Sequence, residues 1–265
     1  MISFRELVSA FRDLSLAHNR PVIVHAALSS FGDEVRGGPE SVLGALISVT
    51  GRVMAPTFTY RSMVTPETGP EDNAMQYGSG REQNLLAEFF TPEMPADRLM
   101  GRLPETLRLL PTALRSAHPI LSFAGVGLDG VLETQTLEEP LAPLRLLAEM
   151  GGDVLLLGVD QRVNTSIHYA ERLAGRKQFV RWALTPRGVV ECPGSPGCPD
   201  GFNQLDPSLA EFTRKTRLAQ AEIWAIPLEP LLKTVVDLLH EQPYALLCSR
   251  EDCGRCAAVR QSAVV

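Results

Sequence analysis

Asn164-Thr-Ser-Ile-His168-Tyr-Ala-Glu171 sets an imidazole and a carboxylate three residues apart. On a helix that spacing puts both on one side. An imidazole titrates near neutral pH, so it can take a proton from a nucleophile. His168 is therefore a candidate general base, although an ordinary capped surface histidine fits the same residues. The other four histidines are poorer candidates. His25 lies inside an apolar run, and His118 precedes Pro119 at the start of another. His18 and His240 fall at helix ends, where the carbonyl dipole favours them.

A second chemistry lies in the five cysteines, all after position 190. Their spacing is C-x5-C followed by C-x4-C-x2-C. Four thiolates, from Cys192, Cys198, Cys253 and Cys256, would make a closed zinc site. Such a site is structural, because it leaves no open position. Free cysteines are the alternative. A thioredoxin-like role for CGRC is disfavoured, because it is expected after the last strand rather than before a helix. Third, the stretch SSFGDEVRGGPE has no Walker pattern and no G-x-G-x-x-G. Its backbone N–H groups at Ser29, Ser30, Phe31, Gly32, Gly37 and Gly38 nevertheless precede a helix, an arrangement that can hold a phosphate. The chain has no G-x-S-x-G and no H-E-x-x-H, which disfavours a standard serine hydrolase and a zincin.

These residues need a frame. PVIVHAAL and GRVMAPTFTY read as strands either side of the helix ESVLGALISV, a β-α-β pattern. HPILSFAGVG and GGDVLLLGVD read as further strands, the latter buried on both faces. Asn164 or Thr165 caps the helix that carries His168. A helix is expected from about Pro143. RKQFVRWALTPRGVVECPG reads as a hairpin turning at TPRG. Residues 61–82 form a long acidic loop, and 83–117 are expected to be mostly helical. From Pro207 the chain is expected to be helical through LAEFTRKTRLAQ, then again in IPLEPLLKTVVDLLHEQ, with PYALLC a last short strand.

The chain has 265 residues and a formal charge of −6. With no basic stripe, nucleic acid is excluded as the main partner; the charge suits a cationic ligand. No apolar stretch approaches a membrane span. The first residues read as an amphipathic helix rather than a signal peptide, so the expected location is cytoplasmic.

Five blocks, in order, resemble the aminoglycoside 3-N-acetyltransferase family (the antibiotic N-acetyltransferase fold). They are VIVHAALSSFG…GGPESVLGAL…VMAPTFT, MGRLPETLRLLPTALRSAHPILSFAGVG, GGDVLLLGVDQRVNTSIHYAE, PGCPDGFNQLDPSL and CGRCAAVRQS. The resemblance implies one α/β domain over 1–265, distinct from the GNAT acetyltransferases. It has a central mixed sheet flanked by helices. It carries a helical subdomain, and a helical and loop insertion at about 61–117 would contribute to the acceptor site. Acetyl-CoA would be the donor, and the 3-amino group of a 2-deoxystreptamine ring the acceptor, with antibiotic resistance as the outcome. His168 matches the family's catalytic histidine. Asp200 is the first choice for its carboxylate partner and Glu171 the second. Thr57 would donate to the thioester oxygen. Ser29, Ser30, Phe31, Gly32, Gly37 and Gly38 would hold CoA. Glu67, Glu71, Asp72, Glu105 and Glu171 would line the pocket of a polycationic acceptor, with the 61–82 loop as a lid.

The family often shows His-Ser-Ser where this chain has His25-Ala26-Ala27. The rival readings are an N-acetyltransferase for another amine in a biosynthetic pathway, and a non-catalytic zinc-stapled binding protein. The expected assembly is a monomer or homodimer.

Overall fold

A computed structural model describes residues 1–262. Its strands, in chain order, are β1 (Val22–Ala26), β2 (Val53–Pro56), β3 (Met63–Val64), β4 (Leu114–Arg115) and β5 (Phe123–Val126), followed by β6 (Asp153–Leu157), β7 (Phe179–Thr185), β8 (Gly188–Ser195), β9 (Arg214–Leu218) and β10 (Ala221–Pro227). Seven of them form one sheet in the order β4-β5-β2-β1-β6-β10-β9, and β3-β7-β8 form a second. The central strand β1 runs parallel to β2 and β6, with Val22 opposite both Val53 and Asp153. The outer strands are antiparallel.

The apolar runs of β1 and β6 have the composition of strands covered on both faces. Alternate side chains go to opposite sides. Ile23, Met54, Val154 and Leu156 join the core beneath helices Pro143–Glu149, Thr165–Leu173 and Leu228–Glu241. Val22, Val24, Val53, Leu155 and Leu157 join the core beneath helices Phe4–Asp13, Gly38–Thr50 and Arg102–Arg108. The first helix starts in a capping box, Ser3 with Glu6, which satisfies two N-terminal donors.

Four expectations fail. Residues 83–117 are not mostly helical; apart from the end of the short helix Arg81–Asn84, the 3-10 turn Arg98–Met100 and the helix Arg102–Arg108 they are mainly loop and turn. Pro92, Pro95 and Pro111 fall in the irregular chain between and after these helices, while Pro104 is accommodated in the first turn of Arg102–Arg108. The segment after Pro207 is helical only at Asp206–Leu209 and then becomes the β9-β10 hairpin. Ala221, Ile223 and Ala225 are buried there while Glu222 is exposed, a period of two. PYALLC is not a strand, and CGRC does open a helix, Gly254–Ser262. No helix among the described residues is long and apolar enough to cross a membrane.

The carboxyl ends of β1 and β6 meet closely. Gly158 follows β6 with φ +64°, and a Cβ there would lie 1.7 Å from Ser30 Oγ and 3.3 Å from Ala221 Cβ. Gly158→Ala is predicted to lower stability by at least about 1–2 kcal/mol, the cost of a left-handed L-residue, with Ser30 displaced as well. Denaturant melts check it; a melt unchanged from wild type would refute this account of the junction.

Candidate active site

The loop after β6 carries the chain from the sheet into helix Thr165–Leu173. Asn164 caps that helix, its side chain accepting from Ser166 N at 3.1 Å. His168 sits in the first turn, 9% exposed. Its Nδ1 lies 2.7 Å from Glu171 Oε2. The other carboxylate oxygen, Oε1, accepts from Arg176 Nη1 at 2.7 Å. Arg176 Nη2 also donates to the carbonyls of Pro243 and Ala245 at 2.7 and 2.8 Å. The ring of Phe202 meets the imidazole edge-on, centroids 4.7 Å apart. A buried imidazole is thus oriented by a buried carboxylate, itself held by a buried guanidinium. This is the arrangement of an oriented general base.

The carboxylate on His168 is Glu171, not Asp200. Asp200 is exposed and pairs with Arg250 at 3.0 Å. Glu171 is accordingly part of the dyad rather than of an acceptor surface. Thr57 is also placed otherwise than expected. Its hydroxyl is fully buried and donates to the Ser122 carbonyl at 3.1 Å, so it ties β2 to β5 and is not free to bind a thioester.

Ser29, Ser30 and Phe31 lie in the 3-10 turn Leu28–Phe31, closed by Gly32 at φ +68°. Phe31 points into the core, and Ser30 donates to the Ala27 carbonyl at 2.6 Å. Gly37 and Gly38, both left-handed, open helix Gly38–Thr50. Ser30 lines a cleft of about 540 Å³ with Gly158, Asp160, Arg162, Gln220 and Trp224. The sequence reading misses Gln220 because it ends a stretch that reads as helix, and Trp224 because it falls in the unassigned residues that follow; the alternation around Trp224 is the available signal.

Of the acceptor candidates, Glu67, Glu71 and Asp72 are exposed on the long loop. That loop is pinned, not free. Asn73 pairs with Val180 of β7 like an added strand residue, donating to its carbonyl at 2.9 Å and accepting from its N–H at 2.7 Å. Asp72 reaches Lys177 at 3.2 Å, next in sequence to Arg176. Glu105 lies apart, beside a second cavity of about 320 Å³ shared with Asp97, Arg98 and Arg102. Burial works to raise its pKa, but hydrogen bonds from Arg108 and the Ala96 N–H outweigh this and lower it.

Four thiols do converge: those of Cys198, Cys248, Cys253 and Cys256 lie within 4.8 Å of one another, all buried. Cys248 stands where Cys192 was expected. Cys192 faces the main core from β8, because strand alternation turns it inward. Asp200 and Arg250, two residues past Cys198 and Cys248, bridge the two loops. Arg260 donates to the Cys248 carbonyl at 2.9 Å, and Arg255 to that of Gly197 at 3.2 Å.

The sequence profile described as aminoglycoside 3-N-acetyltransferase matches residues 23–240. The chain belongs to the aminoglycoside 3-N-acetyltransferase family. Among relatives, aminoglycoside N(3)-acetyltransferase VII of Streptomyces paromomycinus is 37% identical over 175 residues, 63% of this chain and 60% of that protein. The match thus spans about three fifths of the relative's length. Among solved structures, the apoenzyme of aminoglycoside acetyltransferase AAC(3)-IVa superposes with a TM-score of 0.80 at 24% identity, over 98% of this chain and 97% of that one. The binary complex of AAC-IIIb with CoASH gives a TM-score of 0.73 at 24% identity, covering 91% and 97%. These two likenesses share the fold.

Two further histidines are buried and neutral. Burial pushes His25 down to about 3 and His118 down to about 4. His118 Nδ1 accepts from the Ile120 and Leu121 N–H groups at 3.1 and 3.0 Å. Both take up a proton on unfolding once the pH falls below the ordinary imidazole value. Their neutral forms therefore support the fold above about pH 6.5, and that support is lost as the pH falls toward 4. These two histidines are predicted to contribute a fall in stability of roughly 2 kcal/mol per pH unit between pH 6 and 4.5. Denaturant titrations across that range test this, and His118→Gln should flatten the slope. An equal slope in that variant would exclude His118 as a source.

Proposed function

We propose that this protein is an acetyl-CoA-dependent N-acetyltransferase that acts on the 3-amino group of aminoglycosides. The observation that carries the chemistry is the His168–Glu171–Arg176 chain of buried, hydrogen-bonded groups. Membership of the family supplies the reaction class, and a structural neighbour whose complex holds CoASH supports the donor.

With Nδ1–H donated to Glu171, His168 Nε2 is left with the lone pair. An ammonium substrate must lose a proton before it can attack a carbonyl carbon. Nε2 takes a proton from the amine as the nitrogen attacks the thioester, and the imidazolium is stabilised by Glu171. The tetrahedral species collapses to the amide, the CoA thiolate leaves and takes the proton back from the imidazolium, and the proton first shed by the ammonium goes to solvent. Atoms balance without a covalent enzyme intermediate. The Ser30 cleft, lined also by Gly158, Arg162 and Gln220, is the proposed seat of CoA; Ser29, Gly32, Gly37 and Gly38, which the resemblance also implies for CoA, lie outside its lining. Glu67, Glu71 and Asp72 give the acceptor side a negative field, suited to a polycation. Acetylation would remove one positive charge from the antibiotic, and resistance would follow from weaker binding to ribosomal RNA.

The four thiols fit a structural zinc ion. A tetrahedral set at the usual zinc–sulfur length has sulfur–sulfur edges of roughly 3.8 Å, within the 4.8 Å spread observed. Cys198, Cys248, Cys253 and Cys256 would hold the ion. It would cross-link the β8 exit to the C-terminal helix and take no part in acyl transfer.

CoA thiol release from acetyl-CoA, measured with a panel of aminoglycosides, tests the function. His168→Ala is expected to lower kcat by about 10²- to 10⁴-fold. Glu171→Gln should lower kcat strongly, and Asp200→Asn should leave it nearly unchanged. Turnover that survives His168→Ala would remove this histidine as base. No release with any aminoglycoside, but release with another amine, would move the acceptor to a biosynthetic amine.

A further inference from the structure

We infer that the four-thiol cluster is the clamp that holds the His168–Glu171 dyad in register, through Arg176 on one side and Phe202 on the other. This rests on the zinc and acetyltransferase readings above.

Two segments connect the cluster to the dyad. The first leaves Cys198 and, four residues on, delivers Phe202, fully buried against the imidazole at 4.7 Å between ring centroids. The second runs into Cys248 from Pro243 and Ala245, whose carbonyls accept from Arg176. Between these ends the segments press on one another. A Cβ on Gly201 would lie 2.3 Å from the Leu246 carbonyl oxygen, so only glycine allows the approach. Leu246 is itself held left-handed, at φ +64°. The Asp200–Arg250 ion pair spans the same gap.

Neither segment is organised by a sheet. Residues 196–201 and 243–252 are turns and irregular chain, with only short local backbone bonds such as Phe202 N to the Pro199 carbonyl at 3.0 Å and Ala245 N to that of Gln242 at 2.9 Å. Phe202 and Leu246 are anchored in the core, and a cross-link at the thiols would further cut the freedom of the irregular chain between them. The cluster lies at one end, and the dyad's neighbours lie at the other. The carbonyls of Pro243 and Ala245 fix the fork of Arg176, which fixes Glu171, which sets the imidazole plane. Phe202 limits its rotation. Arg176 and Phe202 are thus positioning residues, and the thiols act on catalysis only through them.

The test compares the full-length protein as purified, after metal removal by a thiol-binding mercurial with a chelator, and as the variants Cys198→Ser and Arg176→Lys. Four readouts are taken: zinc per chain, helix content, kcat, and the low-field proton resonance of His168 Nδ1–H. One zinc per chain is expected. On removal, the resonance should disappear and kcat should fall about 100-fold, as for a small misplacement of a reacting group, while helix content persists. Arg176→Lys leaves all four thiols intact. It should keep its zinc, lose or shift the resonance, and lower kcat with little change in KM. Loss of zinc with resonance and kcat unchanged would overturn the clamp, and so would an unaltered resonance in Arg176→Lys. A protein purified with no metal and four free thiols would overturn the site itself. Metal-loaded protein that shows the resonance but turns over no amine would count against the acetyltransferase reading, and the resonance would still decide the clamp.

Discussion

A carboxylate cannot stay charged out of water without partners, and Glu171 is almost wholly buried. It is satisfied on both oxygens, by His168 and by Arg176. That one constraint organises much of the molecule. The guanidinium of Arg176 is also buried, and its remaining donors need acceptors, which come from Pro243 and Ala245 near the end of the chain. A short-range pair on one helix therefore requires a fold in which residues about seventy positions later return to the same place. The closing helix and the thiol cluster serve that return.

The sheet supplies the other half of the arrangement. Parallel pairing of β1 with β2 and β6 brings their carboxyl ends to one edge, where α/β proteins gather their ligands. The turn after β1 and the loop after β6 leave that edge together. The closeness of Gly158 to Ser30 shows how little room separates them. The cleft lies at the start of the β6 loop and His168 at its end, so one rigid connection spaces the proposed CoA seat from the proposed base.

Local signals were legible in the residues themselves. A cap at Asn164 or Thr165, His168 in the first turn and Glu171 one turn on follow from spacing alone, and so do β1, β2, β6, the TPRG hairpin and the helix Leu228–Glu241; the structure picks Asn164 as the cap. What was not legible depended on distance. Asp200 was preferred to Glu171 because the resemblance pointed to a long-range triad, yet the local i, i+3 carboxylate was already in reach. Cys192 and Cys248 could not be told apart by counting; which of them joins Cys198 depends on the face of β8 and on where the chain returns after residue 241. The β9-β10 hairpin was lost for a different reason. Charged residues in RKTRLAQ suit a helix surface as well as an edge strand, and only the alternation at Glu222 and Trp224 separates the two.

The acceptor side shows why composition alone is a weak guide to a binding surface. Five carboxylates were plausible partners for a polycation, and their surroundings divide them. Glu171 is internal, and Glu105 already has Arg108 as its partner. Glu67, Glu71 and Asp72 are exposed, and Asp72 is drawn to Lys177 by a loop fastened to β7 through Asn73. Because Lys177 follows Arg176 directly, the loop that bears the acidic residues and the groups that orient the imidazole are attached to the same short stretch of chain. The fastening at Asn73 fixes the loop's path without a ligand, so a ligand that met the loop there would lose less ordering entropy on binding.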